Sequence, residues 1–294
     1  MSFFQQLTLN GIISGSIYAL IALGFTAIYR TVKFFHFAHG VVYTIGAYLA
    51  YTLAISLGLN FLVSFFLATV LAAVLGLGID RFVYSPLRQH KAPSLVFLIA
   101  SFGTFIFIQN LIQLIYGAQI LTLRTGPIQE GYQIFSAVIT PIQIMILVVA
   151  VALMFILWLF IQKTKMGKAM RAVADDPIGA SVVGIYPEMT IRTAFAIGSA
   201  AAGIAGILIS LETNIEPTMG FSAILKGMIA SIIGGIGSIP GAMVGGFFLG
   251  IVENLGIWKI QAGWKDTISF AVLIVFLLFR PGGIFNVKVG PERV

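Results

Sequence analysis

The chain has 294 residues, of which 59% are hydrophobic and only 9% charged, and its mean hydropathy is +1.03. Soluble domains carry roughly a quarter charged residues, so this composition excludes an ordinary soluble domain, a disordered chain and a collagen-like fibre. The net charge of +7 is scattered between long uncharged runs and so does not point to nucleic acid, and the lack of cysteine excludes disulfides, a thiolate nucleophile and a Cys-based metal site.

A helix needs about 20 mostly apolar residues to cross a bilayer. Residues 7–29, 37–56, 61–79, 94–116, 141–161 and 193–211 meet that length without Asp, Glu, Lys or Arg. The last third is less regular. Residues 223–236 are short and contain Lys226, residues 241–257 contain Glu253, and residues 267–279 are short before Arg280-Pro281. Broken or re-entrant elements of this kind are tolerated where protein or a water-filled cavity surrounds them. Runs such as residues 144–160 do not alternate as barrel strands would. The pattern predicts an all-α polytopic integral membrane protein with eight to ten spans in one transmembrane domain, residues 1–294.

The first apolar run is too long for a signal peptide, and no basic residue precedes Arg30. Basic residues then recur in alternate loops: Arg30 and Lys33; Arg81, Arg88 and Lys91; Lys163, Lys165, Lys168, Arg171 and Arg192; Arg280, Lys288 and Arg293. Only Arg124, Lys226, Lys259 and Lys265 fall elsewhere. By the positive-inside rule this predicts an outer N-terminus and an inner C-terminus.

The longest inner connection, about residues 162–192, has its own structural signals. Residues 168–174 are good helix formers, with Met170, Val173 and Ala174 at helical spacing. Asp175 or Asp176 before Pro177 is a helix opening, and Gly184 is a stop. Two short helices are expected, broken at Asp175-Asp176-Pro177. An interfacial helix on anionic lipid accounts for Lys163, Lys165 and Lys168 but not for the two acids. A docking surface for a cytosolic partner accounts for a structured loop as a whole.

Here the chain resembles a family. Arg171-Ala172-Val173-Ala174-Asp175-Asp176-Pro177, followed by Ala180 and Gly184-Ile185, is similar to the cytoplasmic loop of permease subunits of branched-chain amino acid ABC transporters. Two other stretches match in the same order. One is Asn10-Gly11, Gly15-Ser16, Tyr18, Leu20 and Gly24, leading to Phe37-Ala38-His39-Gly40 and Gly46-Ala47-Tyr48. The other is Gly234-Gly235-Ile236-Gly237-Ser238-Ile239-Pro240-Gly241-Ala242 with Gly245-Gly246. The resemblance is to the shorter of the two permease types in such systems.

It implies a subunit of an ATP-driven importer in a bacterial cytoplasmic (inner) membrane, working with a second permease (another type or a second copy), two cytosolic ATPase subunits that bind ATP-Mg, and an extracytoplasmic substrate-binding protein. It also implies a coupling loop, carried by Gly167, Arg171, Ala172, Asp175, Asp176, Pro177, Ala180, Gly184 and Ile185. Many ABC importers have Glu-Ala-Ala, three residues and Gly there. This chain has Ile178-Gly179-Ala180 and Gly184, without the Glu, which leaves open which short helix inserts into the ATPase. Consistently, the chain contains no Gly-x4-Gly-Lys-Ser/Thr, so no ATP site or other cofactor of its own is expected and no enzymatic activity.

Gly11 with Gly15, and Gly237, Gly241 and Gly245, repeat at four-residue spacing, the pattern on which helices pack closely. Gly234, Gly235, Gly237, Pro240 and Gly241 interrupt any helix and predict a bent turn with a packing or gating role. Asn10, Gln109, Asn110, Gln113 and Glu253 are candidate pathway residues. Interhelical hydrogen bonding explains the Gln-Asn face equally well, and pairing with Lys259 or Lys265 is the expected fate of Glu253. His36 and His39, four apart, lack an acidic third ligand, so a metal site is not expected; they cap the next span or face a partner. Glu212 and Glu216, with Arg124 and Glu130 in the outer loop of residues 122–137, are candidates for docking a binding protein. The alternative function, an ion-gradient-driven secondary transporter or channel, normally needs buried acids or broken helices repeated in two halves, and neither pattern stands out. No nucleophile, base or metal constellation suggests a membrane enzyme.

Overall fold

A computed structural model describes residues 2–124, 130–134 and 136–285. The helices in chain order are α1 (Ser2–Val32), α2 (Ala38–Tyr51), α3 (Phe61–Ile79), α4 (Ser85–Gln89), α5 (Ser94–Tyr116), α6 (Pro141–Lys163), α7 (Lys165–Asp175), α8 (Pro177–Val182), α9 (Pro187–Glu212), α10 (Met219–Gly234), α11 (Ile239–Gly256) and α12 (Lys265–Phe279). Among the described residues, eight helical stretches are long and apolar enough to cross a membrane, and α10 is a shorter apolar helix. The chain is a polytopic all-α membrane protein, as its hydropathy predicts. Lys288 and Arg293 lie outside the described residues.

One span runs farther than its uncharged stretch. A π turn, Asp80–Tyr84, joins α3 to α4, so the helix continues to Gln89 instead of ending at Ile79. The charges that suggested a loop are tolerated because Arg88 folds back on Asp80, with Nη1 2.8 Å from Oδ1. A second π turn, Thr52–Ser56, follows α2.

The chain divides into two compact units. The first comprises residues 27–127 and 155–224. Its centre is formed by α2, α3 and α9, each packed against the other two through small residues. Gly46 lies against Gly203, Gly76 against Ser199 and Gly206 against the Tyr43 backbone, each too close to admit a Cβ. α5 adds a narrow buried stripe of Phe97, Ser101, Phe105, Ile108 and Ile112. Ser101 accepts from the Ala38 N–H at 3.1 Å, which satisfies a donor at the start of α2.

The second unit comprises residues 1–26, 128–154 and 225–294. Here the small-residue stripes meet: a Cβ on Gly11 would lie 2.8 Å from the Ile251 Cα, and one on Gly15 2.9 Å from the Phe247 Cα. The four-residue glycine spacing thus lets α1 lie directly on the α11 backbone within the chain. Ala22, Ile229, Ala230, Ile233, Ala242 and Leu249 form the core beneath, with Phe248, Val272 and Phe276 packed on it. The predicted bend is a four-residue turn between α10 and α11. Gly235 and Gly237 adopt φ of +106° and +90°, Ser238 caps α11 by accepting from the Gly241 N–H at 3.0 Å, and Pro240 sits in the first turn. Ile284 returns to this turn and donates to the Ile233 carbonyl at 2.8 Å.

The connection between α5 and α6 departs from the all-helical expectation. Tyr132–Ile134 and Ala137–Ile139 form a two-stranded antiparallel hairpin, β1 and β2, in the register Tyr132↔Ile139. So short a ribbon needs outside support. Gln6 supplies it, accepting from the Val138 N–H at 2.8 Å and donating to its carbonyl at 3.0 Å.

Candidate functional site

The segment from α6 to α9, all within the first unit from residue 155 onward, holds the predicted coupling-loop residues. α7 begins with Thr164, whose hydroxyl accepts from the Gly167 N–H at 3.0 Å. Gly167 is required there because a Cβ would strike the Ile161 carbonyl. α7 buries Met170, Val173 and Ala174 along one face. Arg171 turns back on the end of α6 and donates to the carbonyls of Ile161 and Gln162, the latter at 3.5 Å. These carbonyls end a helix and carry its negative dipole, so a guanidinium suits them and ties α7 firmly to the span.

The break between the two helices is built as the sequence predicts. The Asp176 N–H donates to the Ala172 carbonyl at 2.9 Å, closing α7. The Asp176 carboxylate then caps α8, accepting from the Ile178 N–H at 3.0 Å, with Pro177 at the first helical position. At the far end the Ile185 N–H reaches the Ala180 carbonyl at 3.0 Å and the Gly184 N–H reaches that of Ser181 at 3.1 Å. This is a Schellman closure, and it requires the left-handed φ of +84° that Gly184 provides. Asp176, Pro177, Ala180, Gly184 and Ile185 are therefore the start, closing contact and stop of one six-residue helix. Asp175 is exposed beside it.

The outward surface of this helix and of the turn that leads into α9 is apolar. Ile178, Val182, Val183, Tyr186 and Met189 are 61–82% exposed, while Ala180 alone anchors α8 inward. The sequence reading named the frame of α8 and missed this face. The signal was available, since Ile178 and Val182 are four apart on so short a helix.

The other predicted residues do not gather in one place. Gln109 is half-buried, and Asn110 and Gln113 are exposed on α5, with Asn110 donating to its own helix at Ile106. Asn10 is in the other unit, accepting from Gln6 at 3.1 Å. Glu253 is also there, and its partner is not Lys259 or Lys265. It is wholly buried, with Oε1 2.6 Å from Lys226 Nζ, while Lys265 bonds Asn254. Lys226 also donates to the Tyr18 hydroxyl at 3.1 Å and approaches Asp266 at 3.2 Å. The correction has a simple cause: Lys226 faces α11 from the middle of α10, where a buried carboxylate has most need of a cation. Glu212 ends α9, and Arg124 caps that end by donating to the backbone carbonyls of Leu211 at 3.2 Å and Glu212 at 2.6 Å. Glu216 is exposed and borders, with Gln113 and Thr218, an open depression of about 270 Å³.

His36 and His39 neither cap α2 through a side chain nor face outward. Both are fully buried, and His36 Nδ1 lies 2.9 Å from the Tyr84 hydroxyl among Phe34 and Phe195. Burial, more than the neighbouring His39, pushes the His36 pKa well below the ordinary imidazole range.

Residues 7–277 match the family described as the permease component of the branched-chain amino acid transport system. The chain is 40% identical over 97% of its length to the high-affinity branched-chain amino acid transport system permease protein LivH of Escherichia coli, covering 96% of that relative. It is 39% identical to the corresponding protein BraD of Pseudomonas aeruginosa, over 97% of this chain and 96% of the relative. The probable branched-chain amino acid transport permease protein LivH of Methanocaldococcus jannaschii is 30% identical, over 96% and 93%. The fold, the glycine-built turns and the α7–α8 loop thus belong to a chain that matches this family almost end to end; it is a member of the branched-chain amino acid transport system permease family.

Proposed function

We propose that this chain is the membrane-spanning permease subunit of an ATP-driven importer that carries branched-chain or related hydrophobic amino acids across a bacterial cytoplasmic (inner) membrane. It acts as one transmembrane domain with the N-terminus outside and the C-terminus inside. A second permease, two cytosolic ATPase subunits holding ATP-Mg, and an extracytoplasmic binding protein complete the machine. The chain itself binds no nucleotide and catalyses nothing. Its own task is to open a path when the ATPases move.

One observation carries this reading. A short helix, capped at both ends and held by α7, presents Ile178 and Val182 away from the protein in a loop between two spans, and Val183, Tyr186 and Met189 extend that apolar surface through the turn into α9. A rigid apolar knob fits a groove on a folded partner. Lipid is the poorer match, because Asp175 and Asp176 stand exposed at its start and repel an anionic surface. α8 is accordingly the element that seats in the ATPase. Glu212 and Glu216, at the opposite end of α9, are where a binding protein meets the permease, and the exposed Asn110 and Gln113 face of α5 turns toward the path or the second permease rather than lipid.

Uptake in proteoliposomes tests this. The complete complex is expected to import radiolabelled leucine only with ATP and binding protein, while the permease alone imports none. Leucine uptake by the permease alone, driven by an ion gradient without ATP, would establish the secondary-transporter alternative instead.

A further inference from the structure

We propose that Arg88 is a positioning residue for transport: with Asp80 and Glu188 it forms an ionic strut tying the first turn of α9, just beyond the α8 knob, to the end of the α3–α4 span. The inference rests on the reading of α8 given above and goes beyond it by naming how a push on α8 reaches the membrane.

The geometry is that of a fork. Arg88 Nε and Nη2 hold Glu188 Oε1 and Oε2 at 3.0 and 2.9 Å, and Nη1 holds Asp80 Oδ1 at 2.8 Å. A guanidinium bound at three nitrogens to two carboxylates is fixed in direction as well as position. Asp80 is fully buried, and its Oδ2 has no partner; the Arg192 Nε is likewise buried and unpaired. The strut is therefore anchored in the protein at one end, while Glu188 at the other is about half exposed.

Its placement gives it a task. Glu188 is the second residue of α9 and follows Pro187, Tyr186 and the Gly184 stop of α8. Without the strut, a displacement of α8 is absorbed in those few residues. With it, the displacement reaches Arg88 and Asp80. Asp80 opens the π turn Asp80–Tyr84, and Tyr84 in the same turn bonds His36 between α1 and α2. π turns interrupt the regular helix ladder and are the places where a long helix bends. One ion cluster thus connects the loop to the π turn of one span and the junction of two others.

The test uses the assembled complex in proteoliposomes, with leucine uptake and ATP hydrolysis measured together. Arg88→Gln is expected to keep its ATPase subunits and to hydrolyse ATP within about twofold of the parent, while leucine imported per ATP falls about tenfold. Arg88→Lys keeps the charge but loses the fork, and restores only part of the ratio. Glu188→Gln, at the exposed end where folding is least at risk, falls in the same direction, and the double variant falls no further than Arg88→Gln alone. An unchanged ratio in an assembled variant, additive losses in the double variant, or loss of ATPase binding with Glu188→Gln overturns the strut. If Arg88→Gln does not assemble, Glu188→Gln decides the question. Failure of the α8 reading itself looks different: the ATPase subunits then stay on a folded variant carrying Ile178→Asp and Val182→Asp, or the parent permease holds none.

Discussion

The Lys226–Glu253 pair allows the sharpest test of how the second unit is held together. Glu253 is inaccessible, its Oε1 is 2.6 Å from the ammonium, and its Oε2 has no hydrogen-bond partner. Replacing Lys226 with Met leaves that carboxylate buried without a cation, a change that costs about 3–5 kcal/mol in buried pairs. Asp266 contributes much less, since it is 65% exposed and 3.2 Å away, so Asp266→Asn costs below about 1 kcal/mol. Replacing both buried partners, Lys226→Met with Glu253→Leu, removes the uncompensated charge and recovers most of the loss. Unfolding in detergent, followed by fluorescence of the three tryptophans, measures each variant. A loss below about 1 kcal/mol for Lys226→Met, or a double variant as unstable as the sum of the singles, refutes the reasoning.

Three further outcomes follow from the same geometry. Gly15→Val places a branched side chain against the Phe247 backbone, and forcing α1 off α11 costs about 1–3 kcal/mol in the same unfolding assay, whereas Gly78→Ala, which meets open space, changes stability by less than about 1 kcal/mol. Gly184→Ala puts a Cβ at φ +84° and weakens the closure of α8 by about 1–2 kcal/mol, seen as faster proteolysis within the loop while the spans stay folded. His36 is held neutral by burial, so the unfolded chain binds a proton that the folded chain does not. Stability is complete above the unfolded imidazole pKa of about 6.5 and falls as pH drops through it, by up to about 1.4 kcal/mol per pH unit; the slope is expected to diminish in His36→Gln.

Much of this was legible in the sequence because it rests on local rules. Hydropathy and length located the spans, and Asp176, Pro177 and Gly184 marked the ends of α8 through cap chemistry that depends on only a few neighbouring residues. The glycine spacing in residues 11–15 and 237–245 announced close packing, though not which helices would meet. What escaped was long-range. Lys226 and Glu253 are 27 residues apart, Arg88 and Glu188 are 100 apart, and nothing local ties either pair together. The same limit sent Glu253 to nearby lysines and His36 to the surface: with only the chain order available, sequence neighbours stood in for spatial ones. The β1–β2 hairpin was missed for a related reason, as its support comes from Gln6, more than a hundred residues earlier.

The central claim is that α8 is the knob on which an ATPase pushes, and co-purification tests it most directly. The parent permease is expected to retain its ATPase subunits through size-exclusion chromatography. Ile178→Asp with Val182→Asp, which leaves the Asp176 cap and the Gly184 stop intact, is expected to release them while the permease stays folded. ATPase subunits that remain bound to this folded variant would contradict the account.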